Sequence, residues 1–191
     1  DAIMKPDAPA LPERTMKALV AVRRQIDHLV RLTDRLTDVV RIESGAFDVA
    51  REQLDLAALA GDVALRFEAQ LQWAGCAFSF EAPAPVPVCA DRVRIDEAVG
   101  NLLTNAAKYA AGAPVKLGVD VKDERAILCV ADRGPGIPGG MKDAIFEKFG
   151  RADAGSVPGL GLGLWISRRI VEAPGGSLHI DDTPGGGATF V

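Results

Sequence analysis

The chain of 191 residues is 48% hydrophobic and 25% charged, a composition typical of globular proteins, which excludes disorder over most of its length. Its formal net charge of -4, with no lysine- or arginine-rich cluster interleaved with aromatic residues, argues against nucleic-acid binding. The 3 cysteines are widely spaced, which disfavours a disulfide framework or a zinc site and favours a cytoplasmic location.

The N-terminal part combines a loop with a long helix. Residues 1–12 contain Pro6, Pro9 and Pro12 and predict a loop. From about Glu13 onward, apolar residues recur at alternating steps of three and four, and Gly45 suits the C-terminal cap. This heptad pattern favours a partner helix in a coiled coil or bundle, while an amphipathic helix lying on its own domain is the alternative. The heptad positions are Leu19, Val22, Ile26, Leu29, Thr33, Leu36 and Val40.

After Gly45 the hydrophobic period alternates between that of a strand and that of a helix. Strands are predicted at 47–54, 76–81, 115–121, 126–131, 177–182 and 188–191, and helices at 57–73, 92–110 and 162–171. Hairpins outnumber crossovers, so we expect an α+β fold: a two-layer α/β sandwich with a mixed, mainly antiparallel sheet and helices on one face. We expect no membrane span or signal peptide. The chain lacks an initiator Met and ends on an apolar run, so we expect a piece of a longer protein.

The predicted helix at 92–110 carries the first of four polar or glycine-rich clusters. Asn101 and Asn105 are four residues apart and therefore project from one helix face, with Lys108 and Tyr109 one turn later. An amide oxygen is a suitable Mg²⁺ ligand, and a lysine at this place neutralises phosphate charge. A merely solvated polar face is the alternative, which the apolar residues between the two amides disfavour.

The second cluster follows a predicted strand. Asp132 ends an apolar run, and Gly134, Gly136 and Ile137 come directly after it. A carboxylate there accepts a hydrogen bond from an exocyclic amine such as that of adenine, while glycines let the backbone approach a flat ring. Taken alone, this pattern is more often only a turn.

The third and fourth clusters surround a segment without apolar periodicity. Phe146 and Phe149 flank Lys148, which predicts at least partly a core anchor, and 150–158 is typical of a movable lid. Glycines at 159, 161 and 163 then lead directly into a helix, whose first N–H groups suit phosphate. A dinucleotide-binding fingerprint is disfavoured, because no early β-α-β unit surrounds these glycines.

The order and spacing of the four clusters resemble the catalytic ATP-binding domain of sensor histidine kinases. That domain shares the Bergerat fold with gyrase, the heat-shock chaperone and mismatch-repair ATPases. The resemblance covers about residues 46–191, while residues 1–45 are similar to the loop and second helix of a dimerisation and phosphotransfer domain. It implies ATP and Mg²⁺ as cofactors and a two-component signalling role.

The resemblance implies a role for each matching residue. Asn105 would be the Mg²⁺ ligand, and Asn101 and Lys108 would serve the catalytic end of the site. The remaining nucleotide contacts would come from Tyr109, Asp132, Gly134, Gly136, Ile137, Lys148, Arg151, Gly159, Gly161, Leu162 and Gly163. The short lid and Pro174 are the departures from the family pattern.

Asn101 separates phosphoryl transfer from hydrolysis. Hydrolysing members of the superfamily carry a glutamate at this position as general base, and an amide cannot take that proton. Glu97, one turn earlier, is the conceivable substitute, so an ATP-hydrolysing enzyme stays an alternative. A non-enzymatic interaction module using residues 13–44 is the other.

The phosphoacceptor is expected outside this chain. Neither His28 nor His179 has the His-Glu/Asp-x-x-x-Pro context of a phosphorylated histidine, so we expect ATP binding without self-phosphorylation. The implied partners are the histidine-containing dimerisation domain of the parent chain and a response regulator receiver domain. Homodimerisation through the N-terminal helix is also implied.

Overall fold

A computed structural model describes residues 12–45, 47, 49–152 and 160–191 of the chain. The proline-rich segment 1–11 and most of the predicted lid lie outside this part. The helices are α1 (Glu13–Glu43), α2 (Leu56–Trp73), α3 (Arg92–Tyr109) and α4 (Gly163–Glu172). The strands are β1 (Glu52–Asp55), β2 (Phe78–Glu81), β3 (Pro87–Ala90), β4 (Val115–Lys122), β5 (Arg125–Asp132), β6 (Ile180–Asp182) and β7 (Ala188–Phe190).

Five strands form the main sheet in the order β2-β4-β5-β7-β6. β2 runs parallel to β4, and the other three pairings are antiparallel. On β4, the side chains of Val115, Leu117 and Val119 are buried and alternate with the exposed Lys116 and Asp120. One face of the sheet therefore packs on helices α2 and α3, and the predicted mixed, mainly antiparallel sandwich is confirmed.

β3 was not predicted, because the sequence around it is rich in proline. Pro83, Pro85 and Pro87 are typical of a stiff connection, yet Pro87 begins a strand that pairs antiparallel with β1, opposite Asp55. Proline is tolerated as the first residue of a strand, where its missing N–H costs no ladder hydrogen bond. Val88 pairs with Leu54, which is buried in the main core.

Aspartates start the two helices that cover the sheet. The Asp55 carboxylate accepts hydrogen bonds from the N–H groups of Ala57, at 3.0 Å, and Val86, at 2.8 Å. These bonds, that of Val86 foremost, lower the pKa of Asp55. The Asp91 carboxylate likewise accepts from the N–H groups of Arg94 and Ala50. Each cap therefore fixes a helix start to a neighbouring segment as well.

Helix α1 rests on the domain through its last turns. Val39 is buried with residues of α3 and α4, and Asp38 beside it is also buried. The heptad positions 19, 22, 26, 29, 36 and 40 are all about half exposed, so they face away from the domain. One face of α1 therefore packs on its own domain, as an amphipathic helix does, while the heptad seam is exposed and a partner helix for it stays a prediction. In the described part of the chain, no helix is long and apolar enough to span a membrane.

Candidate active site

A cavity of about 500 Å³ lies between α3, the loop after β5 and the start of α4. Its lining includes residues from three of the four clusters. These predicted site residues line it: Asn101, Asn105, Lys108, Tyr109, Asp132, Gly136, Ile137, Arg151, Gly161 and Gly163. Sequence positions up to 62 apart therefore meet at one site.

Helix α3 forms one wall because its other face is core. Leu102, Leu103 and Ala106 are buried against the sheet, which turns the amides of Asn101 and Asn105 toward the cavity. The Asn101 side chain is held from two sides: its Oδ1 accepts from Arg35 Nη2 at 3.2 Å, and its Nδ2 lies 3.5 Å from Ser167 Oγ. Its orientation is therefore fixed by both α1 and α4.

Asp132 is a buried acceptor at the end of β5. Its side chain is almost inaccessible, and its Oδ1 accepts hydrogen bonds from the N–H groups of Gly134, at 2.8 Å, and Ala188, at 3.3 Å. Gly134 does not line the cavity, but a Cβ there would lie 2.9 Å from Ala110 Cβ and 3.1 Å from Asp132 Oδ1. Glycine at 134 therefore lets the loop close on α3 and hold the carboxylate.

The glycine cluster before α4 has steric reasons for its composition. Gly161 has a φ of +68°, and a Cβ there would come within 2.6 Å of the backbone carbon of Phe149. Gly163 begins α4 beside Asn101, since a Cβ at 163 would lie 3.6 Å from Asn101 Oδ1. The positive end of the α4 dipole thus lies at the Asn101 end of the cavity.

Several predicted site residues are not at the cavity wall. The Leu162 side chain is fully buried in the core between α1, α3 and α4. The Lys148 ammonium pairs with Glu43 of α1 and lies 5.3 Å from the centroid of the Trp165 ring. Gly159 lies outside the described residues.

The two phenylalanines of the third cluster differ. Phe146 is buried and packs edge-on against Phe190, with 6.4 Å between ring centroids, which confirms the anchor there. Phe149 is 61% exposed and has a φ of +63°. Residue 146 therefore fixes this segment to the core, while 149 shapes the loop that Gly161 packs against.

The charge of the cavity is mainly positive. Among the lining side chains in the described part of the chain, Arg35, Lys108 and Arg151 are cationic and Asp132 is anionic. Glu97, considered above as a general base, does not line the cavity, and its Oε2 accepts from Arg94 Nη1 at 2.9 Å. Burial is the main cause that raises the pKa of Glu97. The arrangement suits a ligand with several negative charges at one end.

The part of the chain that forms the cavity is similar to a known protein family. Residues 90–191 match the model of the histidine kinase-, DNA gyrase B- and HSP90-like ATPase family. The chain belongs to this ATPase family. The matched residues form the cavity except for Arg35, which is the one lining residue outside them in the described part of the chain.

The relatives of this ATPase-family chain are sensor kinases. Sensor protein KdpD of Escherichia coli (strain K12) is 38% identical over 173 residues, which are 88% of this chain and 19% of KdpD. The signal transduction histidine-protein kinase/phosphatase MprB of Mycolicibacterium vanbaalenii is 37% identical over 189 residues, 96% of this chain and 38% of MprB. The chain therefore spans well under half of these relatives, and the predicted resemblance to sensor histidine kinases is confirmed.

A solved structure shows the same fold. Full-length ShkA in complex with AMPPNP superposes with a TM-score of 0.81 at 28% identity, over 95% of this chain and 38% of ShkA. That structure contains an ATP analogue, and nucleotide binding is the property expected of the family to which this chain belongs.

Arg35 is the functional candidate that sequence reasoning did not identify. It lies 66 residues before Asn101 and outside the four clusters, in a helix that was interpreted through its heptad seam. No local motif marks it. A helical-wheel plot with a second face at 35, 38, 39 and 42 would have been the available signal.

Proposed function

We propose that this chain is the ATP-binding catalytic region of a two-component sensor histidine kinase. It would donate the γ-phosphate of ATP to a histidine outside the chain, for relay to an aspartate of a response regulator. The observation that carries the proposal is that one cavity unites Asn101, Asn105, Lys108 and Asp132 with the glycine start of α4.

The base end of the cavity fits adenine. Asp132 is buried at the end of a strand, and backbone N–H groups already hold its Oδ1. Its carboxylate would accept from the exocyclic amine, while Ile137 and the backbone at Gly136 would lie along the ring. Tyr109, 44% exposed at the cavity wall, would lie against the nucleoside.

The opposite end fits phosphates and a magnesium ion. Asn105 would hold Mg²⁺ through its amide oxygen, with the other positions filled by phosphate oxygens and water. Within the described residues, no group of three or more His, Cys, Asp or Glu side chains could hold a metal ion by itself. This donor set suits a cation that arrives with its nucleotide, and the bound ion would neutralise phosphate charge. Lys108 and Arg151 would add positive charge from the chain itself.

Transfer is favoured over hydrolysis by the groups around Asn101. An amide cannot act as a general base, and Glu97, which does not line the cavity, is paired with Arg94. The nitrogen of an incoming histidine would bond to the γ-phosphorus, and ADP would leave with the electrons of the broken P–O bond. Asn101 is placed, between Arg35 and Ser167, to orient the groups at that end.

The acceptor histidine would lie in the dimerisation domain of the parent protein, and the response regulator would be a separate partner. His179 does not line the cavity, and its backbone pairs with Val191. We assign residues 1–45 to the dimerisation segment and 46–191 to the catalytic domain. The exposed heptad residues of α1 support a homodimer through that helix in the parent. The 3 cysteines are free thiols, which supports a cytoplasmic location.

Isothermal titration calorimetry of the 191-residue chain tests this proposal. Mg-ADP and Mg-AMPPNP should bind with micromolar affinity to one site, and removal of the carboxylate in Asp132→Ala should abolish measurable binding. Lys122→Ala, at the exposed end of β4, is the control and should bind like the unsubstituted chain. Absence of nucleotide binding to the unsubstituted 191-residue chain would refute the proposal.

A further inference from the structure

Arg35 is the one residue of α1, among those the structure describes, that lines the cavity. Its guanidinium donates to Asn101 Oδ1 at 3.2 Å, across 66 positions of sequence. It is only partly exposed, although α1 as a whole is largely exposed. A charged residue from outside the four sequence clusters therefore forms part of the proposed nucleotide site.

Arg35 lies at the end of the cavity far from Asp132. The loop that holds Asp132 contacts the C-terminal end of α3, because Gly134 lies against Ala110. Asn101 is nine positions before Ala110, which corresponds to roughly 13 Å along a helix. A nucleotide with its base at Asp132 would therefore direct its phosphate chain toward Asn101 and Arg35.

Buried contacts fix the place of Arg35. One turn further along α1, Asp38 pairs with Arg94 of α3 at 3.1 Å, and both side chains are largely buried. Val39 packs with Trp165 and Ile166 in the apolar cluster shared by α1, α3 and α4. Positions 35, 38 and 39 share one face of the helix, so this docking holds Arg35 at the cavity.

We propose that Arg35 is a specificity residue for the terminal phosphate of the nucleotide, supplied by α1 to the catalytic domain. A guanidinium has five N–H donors in a planar fork and pairs with phosphate oxygens in a bidentate manner. With five donors, its bond to Asn101 does not preclude phosphate contacts. Docking of α1 would then make the site prefer a triphosphate over a diphosphate. This inference rests on the proposed function.

The test compares three ligands on the full 191-residue chain. Calorimetry with Mg-AMPPNP, Mg-ADP and adenosine gives the affinity for a triphosphate analogue, a diphosphate and the nucleoside alone. Arg35→Gln should weaken Mg-AMPPNP binding about tenfold, Mg-ADP binding less than threefold, and adenosine binding not at all, as expected for loss of one charge-assisted contact. Arg41→Gln, an exposed arginine of the same helix, should change none of the three.

Arg35→Lys separates a phosphate contact from a structural role. Lysine keeps the charge but not the planar fork of donors, so the Mg-AMPPNP affinity of Arg35→Lys should lie between that of the unsubstituted chain and that of Arg35→Gln. It also provides the same comparison if Arg35→Gln does not fold. Equal weakening of all three ligands, or unchanged Mg-AMPPNP affinity in both variants, would overturn the inference. If the unsubstituted chain bound no nucleotide, the proposed function itself would fail instead.

Discussion

Replacement of Asp132 by asparagine should reverse the base preference of the site with little loss of stability. In the structure, Asp132 Oδ1 accepts from two backbone N–H groups, those of Gly134 and Ala188. An asparagine retains one oxygen acceptor, and these two donors will hold it in that place. Its amide NH₂ must then take the position of the second carboxylate oxygen, so an acceptor for the adenine amine becomes a donor.

The magnitude follows from the bond that is exchanged. A hydrogen bond to a charged group contributes about 1.5–3 kcal/mol, and loss of the acceptor leaves two donors facing each other. We therefore expect Mg-ADP affinity to fall roughly 10- to 150-fold in Asp132→Asn. Inosine diphosphate has a carbonyl oxygen in place of the amine, so Asp132→Asn should bind it more tightly than the unsubstituted chain does.

Calorimetry with both diphosphates measures the exchange, and thermal unfolding provides the control. Because the two backbone hydrogen bonds of Oδ1 are kept, the free energy of unfolding should change by no more than about 1 kcal/mol. Equal weakening of both nucleotides would show that the substitution damages the site as a whole. Unchanged Mg-ADP affinity would show that Asp132 does not contact the base amine.

Three further substitutions test the surroundings of the site. Burial raises the pKa of the Glu97 carboxyl, so the stability that this group contributes is present below its ordinary pKa of 4.5 and is lost as the pH rises through the folded-state pKa. Between about pH 4 and 7, the free energy of unfolding in urea should therefore fall less in Glu97→Gln than in the unsubstituted chain. An equal fall in both chains would contradict burial as the cause. Val39→Ala should lower the free energy of unfolding by about 1–2 kcal/mol and speed amide hydrogen exchange in residues 35–43 but not in β4. Equally faster exchange in both segments would refute the idea that α1 detaches from the domain on its own. Gly161→Ala should lower the melting temperature, because its Cβ would clash with Phe149, and an unaltered melting temperature would show that the loop adjusts freely.

The sequence identifies the parts of the site that depend on local geometry. Asp132 with Gly134 is recognisable because a strand end followed by glycines needs only neighbouring residues to form. Asn101 and Asn105 are recognisable because helical periodicity places both amides on one face. The mainly antiparallel sheet followed from the number of hairpins.

The remaining features depend on contacts between distant segments. Arg35 reaches the cavity only because Asp38 and Val39 dock α1 on α3 and α4, and no local pattern encodes that docking. The family resemblance implies Lys148 as a nucleotide contact, but the structure pairs it with Glu43, a residue 105 positions earlier. Since single-sequence patterns report periodicity and turn chemistry, such pairings are not visible in them.

The most direct test of the account is transfer of phosphate to a separate acceptor. The 191-residue chain is incubated with γ-³²P-labelled Mg-ATP and an isolated histidine-containing dimerisation domain of a sensor kinase relative. We predict acid-labile phosphohistidine on the acceptor domain, none on this chain, and no transfer with Asn105→Ala. Label on this chain that is lost in His28→Ala, or release of inorganic phosphate without any labelled acceptor, would contradict the account.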